Sequence, residues 1–189
     1  MKQAATAFGL LFRSVTAKQL ALIGCIGALG VAGCGGGGSA SLKLGEVARL
    51  SREGDAASST AKAFRYKTAV TSVKQAGPND LKGETLLGSA PKDDVAYYVT
   101  QQVTGVQANY SGWDPEPPDV YDSSGSQAIP LETGSDLPKC VQTKLPAGFA
   151  AGQSFTTCDV YLLPPGDHVG KVVLAAEGPG QNDVTWKTG

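Results

Sequence analysis

The sequence predicts an all-β sandwich, and three observations support this fold class. Apolar and polar residues alternate in several short segments, which is typical of strands with one buried face. Turn motifs rich in proline and glycine separate these segments at intervals of roughly 10–20 residues, as in sandwich folds. After residue 33, no stretch sustains the 3.6-residue period of a helix. With 25 glycines and 11 prolines in 189 residues, the chain is rich in turn formers.

The clearest strand is residues 95–103, for which the pattern predicts one buried side and one solvent-facing side. The predicted inner face carries Val95, Tyr97, Val99 and Val103. Residues 64–70 alternate in the same way, but Val73 is out of phase with them, so we expect a bulge or bend near Thr71. Further strands are predicted at 158–163, 169–174 and 183–186, with 44–50 as the first strand of the domain.

Residues 1–33 have the composition of a secretory signal peptide. The first 18 residues carry three basic side chains and no acidic ones, and residues 19–33 are apolar and rich in small side chains. As a helix, the apolar run of about 14 residues would extend roughly 21 Å, which is shorter than the ~30 Å hydrocarbon core of a bilayer. A cleaved leader is therefore favoured, and a membrane-spanning anchor is the alternative.

The apolar run ends in a short motif made of Val31, Ala32, Gly33 and Cys34. This VAGC stretch resembles the lipobox of bacterial lipoproteins. The resemblance implies that the signal is cleaved before Cys34, whose thiol carries a diacylglycerol, and two acyl chains hold a protein stably on a bilayer. The Gly/Ser-rich residues that follow are typical of a flexible tether, so we predict a linker over 34–43 and a folded domain over 44–189. A free cysteine in an unprocessed leader is the alternative.

The two remaining cysteines, Cys140 and Cys158, are predicted to form a disulfide. Cys25 lies inside the apolar run and is lost with the signal peptide, and Cys34 is lipidated, so no other pair is left. Exported proteins meet an oxidising environment in which disulfides persist. Closing a loop of about 19 residues stabilises the fold by roughly 3 kcal/mol in the chain-entropy account. No CxxC motif favours a redox or metal role.

Two stretches resemble one known family. Residues 138–174 hold two cysteines around a PAGF turn and continue into CDVYLL, and residues 93–106 read DDVAYYVTQQVTGV. They are similar to the later segment and the central strand of small Gram-positive lipoproteins with an immunoglobulin-like (telokin-like) extracellular domain of unknown function. The likeness covers most of residues 42–187. It implies an immunoglobulin-like sandwich of about seven strands at the outer face of the membrane, and it implies no activity.

Composition and motifs argue against two classes of function. Without its leader the chain has a net charge of −4, whereas nucleic-acid binding needs a basic surface. A nucleophilic triad needs a histidine, and His168 in a PPGDH turn is the only one in the sequence. No phosphate-binding loop, HExxH or GxSxG motif occurs. We therefore predict a non-enzymatic protein with no catalytic residues, no metal and no cofactor, apart from the diacylglycerol on Cys34.

One segment between the predicted strands combines carboxylates with aromatic side chains. We interpret it as a candidate interaction loop, since aromatic rings beside adaptable polar groups are typical of binding surfaces. Its candidate contact residues are Tyr110, Trp113, Asp114, Glu116, Asp119, Tyr121 and Asp122. The carboxylates are also of the kind that binds calcium, but they lack the DxDxDG spacing of an EF-hand loop. A solvated surface loop is the alternative to both interpretations.

The sequence thus favours an envelope lipoprotein that is held at the outer face of the membrane and binds a protein or cell-wall partner. A second hypothesis is a carrier of a small ligand or of calcium. This carrier would show a pocket lined by Tyr97, Tyr98 or Trp186, or a melting temperature that depends on calcium. An enzyme would need polar groups that converge on His168 or on the carboxylates of the candidate interaction loop.

Overall fold

Every regular element in the described part of the chain is a strand. The computed structural model describes residues 40–52, 64–82, 86–87, 93–107, 115–133, 137–175 and 182–189. The strands in these ranges are β1 (Ala40–Lys43), β2 (Ala48–Arg52), β3 (Phe64–Gln75), β4 (Leu86–Leu87), β5 (Val95–Gly105), β6 (Asp119–Asp122), β7 (Ile129–Thr133), β8 (Ser154–Leu163), β9 (Val169–Leu174) and β10 (Val184–Lys187). The predicted signal peptide, with Val31, Ala32 and Gly33, and the lipidation site Cys34 lie outside the described residues.

The strands form two sheets, one in the order β1-β10-β9-β6 and one in the order β2-β3-β5-β8-β7-β4. Constant-type immunoglobulin domains pair their seven strands as A-B-E-D in one sheet and C-F-G in the other. Seven strands here, counted in chain order from β3 and without β4, reproduce both orders as β3-β5-β8-β7 and β6-β9-β10. The predicted immunoglobulin-like sandwich is therefore confirmed, and the short strands β1, β2 and β4 extend the edges of its sheets.

The two sheets share one hydrophobic core. Its fully buried side chains come from both sheets and include Val70, Val99, Val103, Val120, Val172 and Trp186. Trp186 is the largest of them, and its ring N–H donates a hydrogen bond of 2.9 Å to the backbone oxygen of Glu46. This bond ties the turn between β1 and β2 to β10. The Trp186 side chain therefore adds to the contacts between the N-terminal turn of the domain and its last strand.

Strand β3 contains the predicted irregularity. Val70 pairs with Gln101 and Ser72 pairs with Thr100, which leaves Thr71 as an extra residue in the ladder. Tyr66 and Val70 before this bulge and Val73 after it pack on the central core. Val70 and Val73 are three positions apart, so a regular strand would place them on opposite faces. The extra residue at the bulge brings both onto the core face.

The N-terminal end of the domain differs from the prediction. Strand β1 occupies Ala40–Lys43, within the predicted linker, and pairs in parallel with β10. The predicted strand 44–50 begins only at Ala48, because residues 44–47 turn and Gly45 has a φ of 85°, a conformation that favours glycine. The carboxylate of Glu46 closes the turn by accepting a hydrogen bond of 2.7 Å from the backbone N–H of Lys43.

The prediction that one side of β5 faces solvent is wrong for the first half of the strand. Ala96 and Tyr98 alternate with the core residues of β5 but are only 7% and 6% exposed. They belong to a second apolar group on the outer face of the six-stranded sheet, the outer cluster. Its other buried members are Leu131, Leu137, Cys140, Cys158, Val160 and Leu162. Two turns, residues 76–82 and 137–140, cover the sheet at this place, and strand periodicity does not reveal such a cover.

Candidate functional site

A disulfide between Cys140 and Cys158 fastens one of the covering turns to strand β8, as the sequence predicts. The backbone N–H of Cys158 donates to the oxygen of Val141 at 3.1 Å, so the chain after the bridge runs alongside β8. An ion pair of 2.8 Å between Lys139 and Asp80 joins the two covering turns to each other. The hydrogen bond from Lys139 holds the pKa of the Asp80 carboxyl below its usual value. Both links keep the cover of the outer cluster in place.

The candidate interaction loop is partly a strand. Tyr110, Trp113 and Asp114 lie outside the described residues. Glu116 is exposed ahead of β6, and Asp119, Tyr121 and Asp122 belong to β6 itself, which pairs with β9. The prediction of a loop is therefore wrong for the last three residues. The strand was not predicted because three prolines, at 115, 117 and 118, come just before it, and proline disfavours strands.

The carboxylate of Asp122 is engaged in the turn that follows β6. Its Oδ1 accepts hydrogen bonds from the Ser124 hydroxyl at 2.7 Å and from the backbone N–H groups of Ser124 and Ser126 at 2.8 and 2.9 Å. These bonds hold the pKa of the Asp122 carboxyl below its usual value. Within the described ranges, no group of three or more Asp, Glu, His or Cys residues is placed to hold a metal ion. Asp122 thus stabilises its own turn.

Asp119 and Tyr121 share the other side of β6, where Asp119 is exposed and Tyr121 is half-buried. The ammonium group of Lys171 on β9 lies 4.5 Å from the centre of the Tyr121 ring, within the range of a cation–π contact. The carboxylate of Asp119 accepts a hydrogen bond of 2.9 Å from the side-chain amide of Gln127. We call Asp119, Tyr121 and Lys171 the Tyr121 face. It is the part of the predicted contact set that the structure brings together.

The aromatic residues expected to line a ligand pocket fill the interior instead. Tyr97 and Trp186 lie in the central core and Tyr98 lies in the outer cluster, so the three rings do not line a common cavity. The Tyr97 hydroxyl donates a hydrogen bond of 2.8 Å to the backbone oxygen of Asp167. His168, the next residue, is exposed in the turn between β8 and β9.

Sequence reasoning missed Asp159, a carboxylate on the core side of β8. It shares that side with Phe155 and Tyr161, and the alternation in SFTTCDVYLL was a signal that pointed to it. Burial raises the pKa of the Asp159 carboxyl to about 6, and a long hydrogen bond of 3.5 Å from the Gln142 amide opposes the shift. Burial also raises the pKa of the Tyr161 hydroxyl, with the charges of Asp159 and Asp119 adding to the effect.

We expect Asp159→Asn to stabilise the protein at pH 7.5 and to change little at pH 4.5. The pKa of Asp159 lies at about 6 in the fold against 3.8 for an ordinary aspartate, so the folded state binds the proton more tightly and stability falls as pH rises through that window. Asparagine stays neutral and keeps an oxygen for Gln142. The gain in the free energy of unfolding at pH 7.5 is at most about 3 kcal/mol. Denaturant unfolding at the two pH values measures it.

The matched control is Asp119→Asn. It removes an exposed carboxylate whose charge also acts on Tyr161, and it should give no such gain. An Asp159→Asn protein that is no more stable than the parent at pH 7.5 would show that the carboxylate is adequately solvated in the fold.

The six-stranded sheet has a cleft of about 590 Å³ at its β2 edge, which the sequence did not predict. Its lining includes Arg49 from β2, Arg65 and Lys67 from β3, and Val106 from the chain just after β5. Arg65 and Lys67 are neighbours on β3, but Arg49 and Val106 join them only through strand pairing. No short motif could have found them.

No known protein-family model and no curated protein sequence matches the chain. A solved structure similar in fold is the crystal structure of MPT63, a secreted protein from Mycobacterium tuberculosis. The TM-score is 0.48 and the sequence identity is 14%. The match covers 79% of this chain and 97% of the MPT63 chain. The likeness to small Gram-positive lipoproteins stays a prediction from the sequence.

Proposed function

We propose that the protein is a lipid-anchored envelope protein without catalytic activity, whose immunoglobulin-like domain binds a partner at the outer face of the membrane. The observation that carries the proposal is the order of three features: the VAGC motif that ends at Cys34, a glycine-rich tether, and a folded domain that starts at Ala40. Even a fully extended chain spans only roughly 20 Å between Cys34 and Ala40. An acylated Cys34 therefore holds the domain close to the bilayer.

The disulfide supports a location outside the cytoplasm. Structural disulfides are rare in cytosolic proteins, where thiols are kept reduced. Cys140 and Cys158 are 2% and 5% exposed and form part of the outer cluster. A buried bridge of this kind belongs to the fold and suits an oxidising compartment.

The described residues favour binding over catalysis. His168 is exposed in a turn, and Asp122 is occupied by its own turn. The Tyr121 face, in contrast, offers a half-buried aromatic ring beside a cation and a carboxylate, and tyrosine is enriched at protein contacts. We propose this face as the part of the candidate interaction segment that contacts a protein or cell-wall partner.

We expect Cys34→Ala to abolish incorporation of labelled palmitate in a bacterial host that processes lipoproteins. The substitution removes the thiol that receives the diacylglycerol, so the protein should also keep its leader. The matched control is Cys25→Ala, which removes the other cysteine of the leader and should retain both the label and the mass of the processed chain. Gel fluorography and intact mass of the membrane fraction provide the two readouts. A label that persists in Cys34→Ala would contradict the anchor.

A further inference from the structure

We propose that the cleft lined by β2 and β3 binds a phosphodiester anion, the group found in polyol-phosphate polymers and in lipid headgroups. The inference rests on the proposed function for the placement of the domain beside a membrane, and it deepens that function by naming a class of ligand. The cleft does not overlap the Tyr121 face, which lies on the four-stranded sheet.

Strand pairing concentrates the positive charges of the cleft. Arg49 lies opposite Lys67 and Ser51 lies opposite Arg65 in the antiparallel ladder, and opposite residues share a face with Cβ atoms about 4.5–5.5 Å apart. Arg49 and Arg65 are exposed and Lys67 is half-buried, whereas the intervening residues of both strands are buried. Three cations therefore stand on one face within two neighbouring rows of the sheet.

The described positions that adjoin the cations on this face add hydroxyl and amide groups. Lys67 lies opposite Thr104, which lies opposite Ser154, and these two hydroxyl oxygens are 2.7 Å apart. The next row continues with Gln102 and Thr156. The described positions in these rows include no Asp or Glu. Hydroxyl and amide groups are suitable neighbours for phosphate oxygens.

The chain after β5 closes one side of the cleft. The side-chain oxygen of Gln107 accepts a hydrogen bond of 2.9 Å from the backbone N–H of Arg65, and the backbone N–H of Val106 donates to the oxygen of Arg65 at 3.3 Å. On the other side, β2 is the last of the described strands in this sheet. The volume of about 590 Å³ lies within the range of small-ligand sites.

Phosphate fits this set of side chains better than other anions on chemical grounds. Guanidinium groups bind phosphate oxygens through paired hydrogen bonds, and an ammonium group adds a point charge. The chain without its leader has a net charge of −4, so the cation cluster does not reflect a generally basic protein. Cations also deter an edge strand from pairing with another chain. If the cations served only to protect the edge strand, neither phosphate probe would bind.

The test is a calorimetric titration of the full-length protein in neutral detergent micelles at physiological ionic strength, where the screening length is about 8 Å. The probes are a short glycerol-phosphate oligomer and the short-chain lipid dihexanoyl phosphatidylglycerol, with dihexanoyl phosphatidylcholine as the zwitterionic control. We expect Arg49→Gln/Lys67→Gln to weaken binding about ten-fold or more, since two charged contacts are lost. The control pair Lys144→Gln/Lys187→Gln removes the same charge from exposed positions outside the cleft lining. It should change the affinity by less than about two-fold, because salt screens distant charges.

The outcomes separate the two sources of the phosphate group. A cleft-dependent affinity for the oligomer alone assigns a soluble polymer, one for phosphatidylglycerol alone assigns a lipid headgroup, and one for both supports the shared phosphodiester chemistry. Equal affinities of the two variant pairs, or no binding of either probe, overturn the proposal. The titration does not depend on acylation of Cys34. A failed palmitate experiment would therefore contradict the lipid anchor but would not change the conclusion about the cleft.

Discussion

Replacing Trp186 with alanine is expected to lower the free energy of unfolding by about 3–5 kcal/mol. The side chain is the largest of those that are fully buried in the described residues and is 0% exposed. Its removal leaves a void in the core that neighbouring side chains from two opposed sheets cannot easily fill. It also takes away the donor for the backbone oxygen of Glu46, so the turn between β1 and β2 loses its tie to β10. Denaturant unfolding followed by circular dichroism measures the change.

A second variant separates the packing contribution from the hydrogen bond. Trp186→Phe keeps an aromatic ring in the core but lacks the N–H that binds Glu46, and we expect it to cost about 1–2 kcal/mol. If Trp186→Ala costs less than about 1 kcal/mol, the site collapses around the smaller side chain and our account of a rigid core is wrong.

Removal of the disulfide is expected to cost about 3 kcal/mol. Cys140 and Cys158 are separated by 18 positions, and the chain-entropy account gives roughly this value for a loop of that size. The bridge also holds the cover over Ala96 and Tyr98, so the double variant Cys140→Ala/Cys158→Ala should expose the outer face of β5. Hydrogen exchange should then quicken at the backbone N–H of residue 158, which is bonded to Val141 in the intact protein.

Two comparisons make this test specific. A reductant should lower the stability of the parent towards that of the double variant and should not affect the double variant. Lys139→Gln breaks the ion pair with Asp80 in the same cover, and we expect a loss of less than about 1 kcal/mol because exposed ion pairs contribute little. A double variant as stable as the parent would mean that packing alone holds the cover.

The strands that the sequence predicts best are those whose side chains alternate over many residues. Residues 95–103, 158–163 and 169–174 all lie in observed strands. The bulge in β3 was predictable because a phase change in a strand has few other causes. The disulfide followed from elimination, since the sequence left no other pair of cysteines for an exported chain.

The features that the sequence did not predict depend on contacts between distant residues. Strand β1 has only four residues and pairs with a strand more than 140 positions away, so no local pattern could indicate it. The cover of the outer cluster and the cationic cleft likewise form when separate segments meet on one sheet. In β6, a proline-rich approach concealed a strand of four residues. Composition therefore identified the candidate contact residues. It did not show that Asp119 and Tyr121 lie on one side of β6 while Asp122 is buried on the other.

The extra residue in β3 also gives this strand an unusual tolerance to a change in chain length. Val70 and Ser72 pair with neighbouring residues of β5, so a chain that lacks Thr71 would join two ladder segments that are already in phase. In a regular strand, loss of one residue turns every side chain beyond it to the opposite face. At Thr71 the inward and outward sets would both survive. The fold can thus absorb the loss of a residue at this position in the middle of a strand, as other proteins do in their loops.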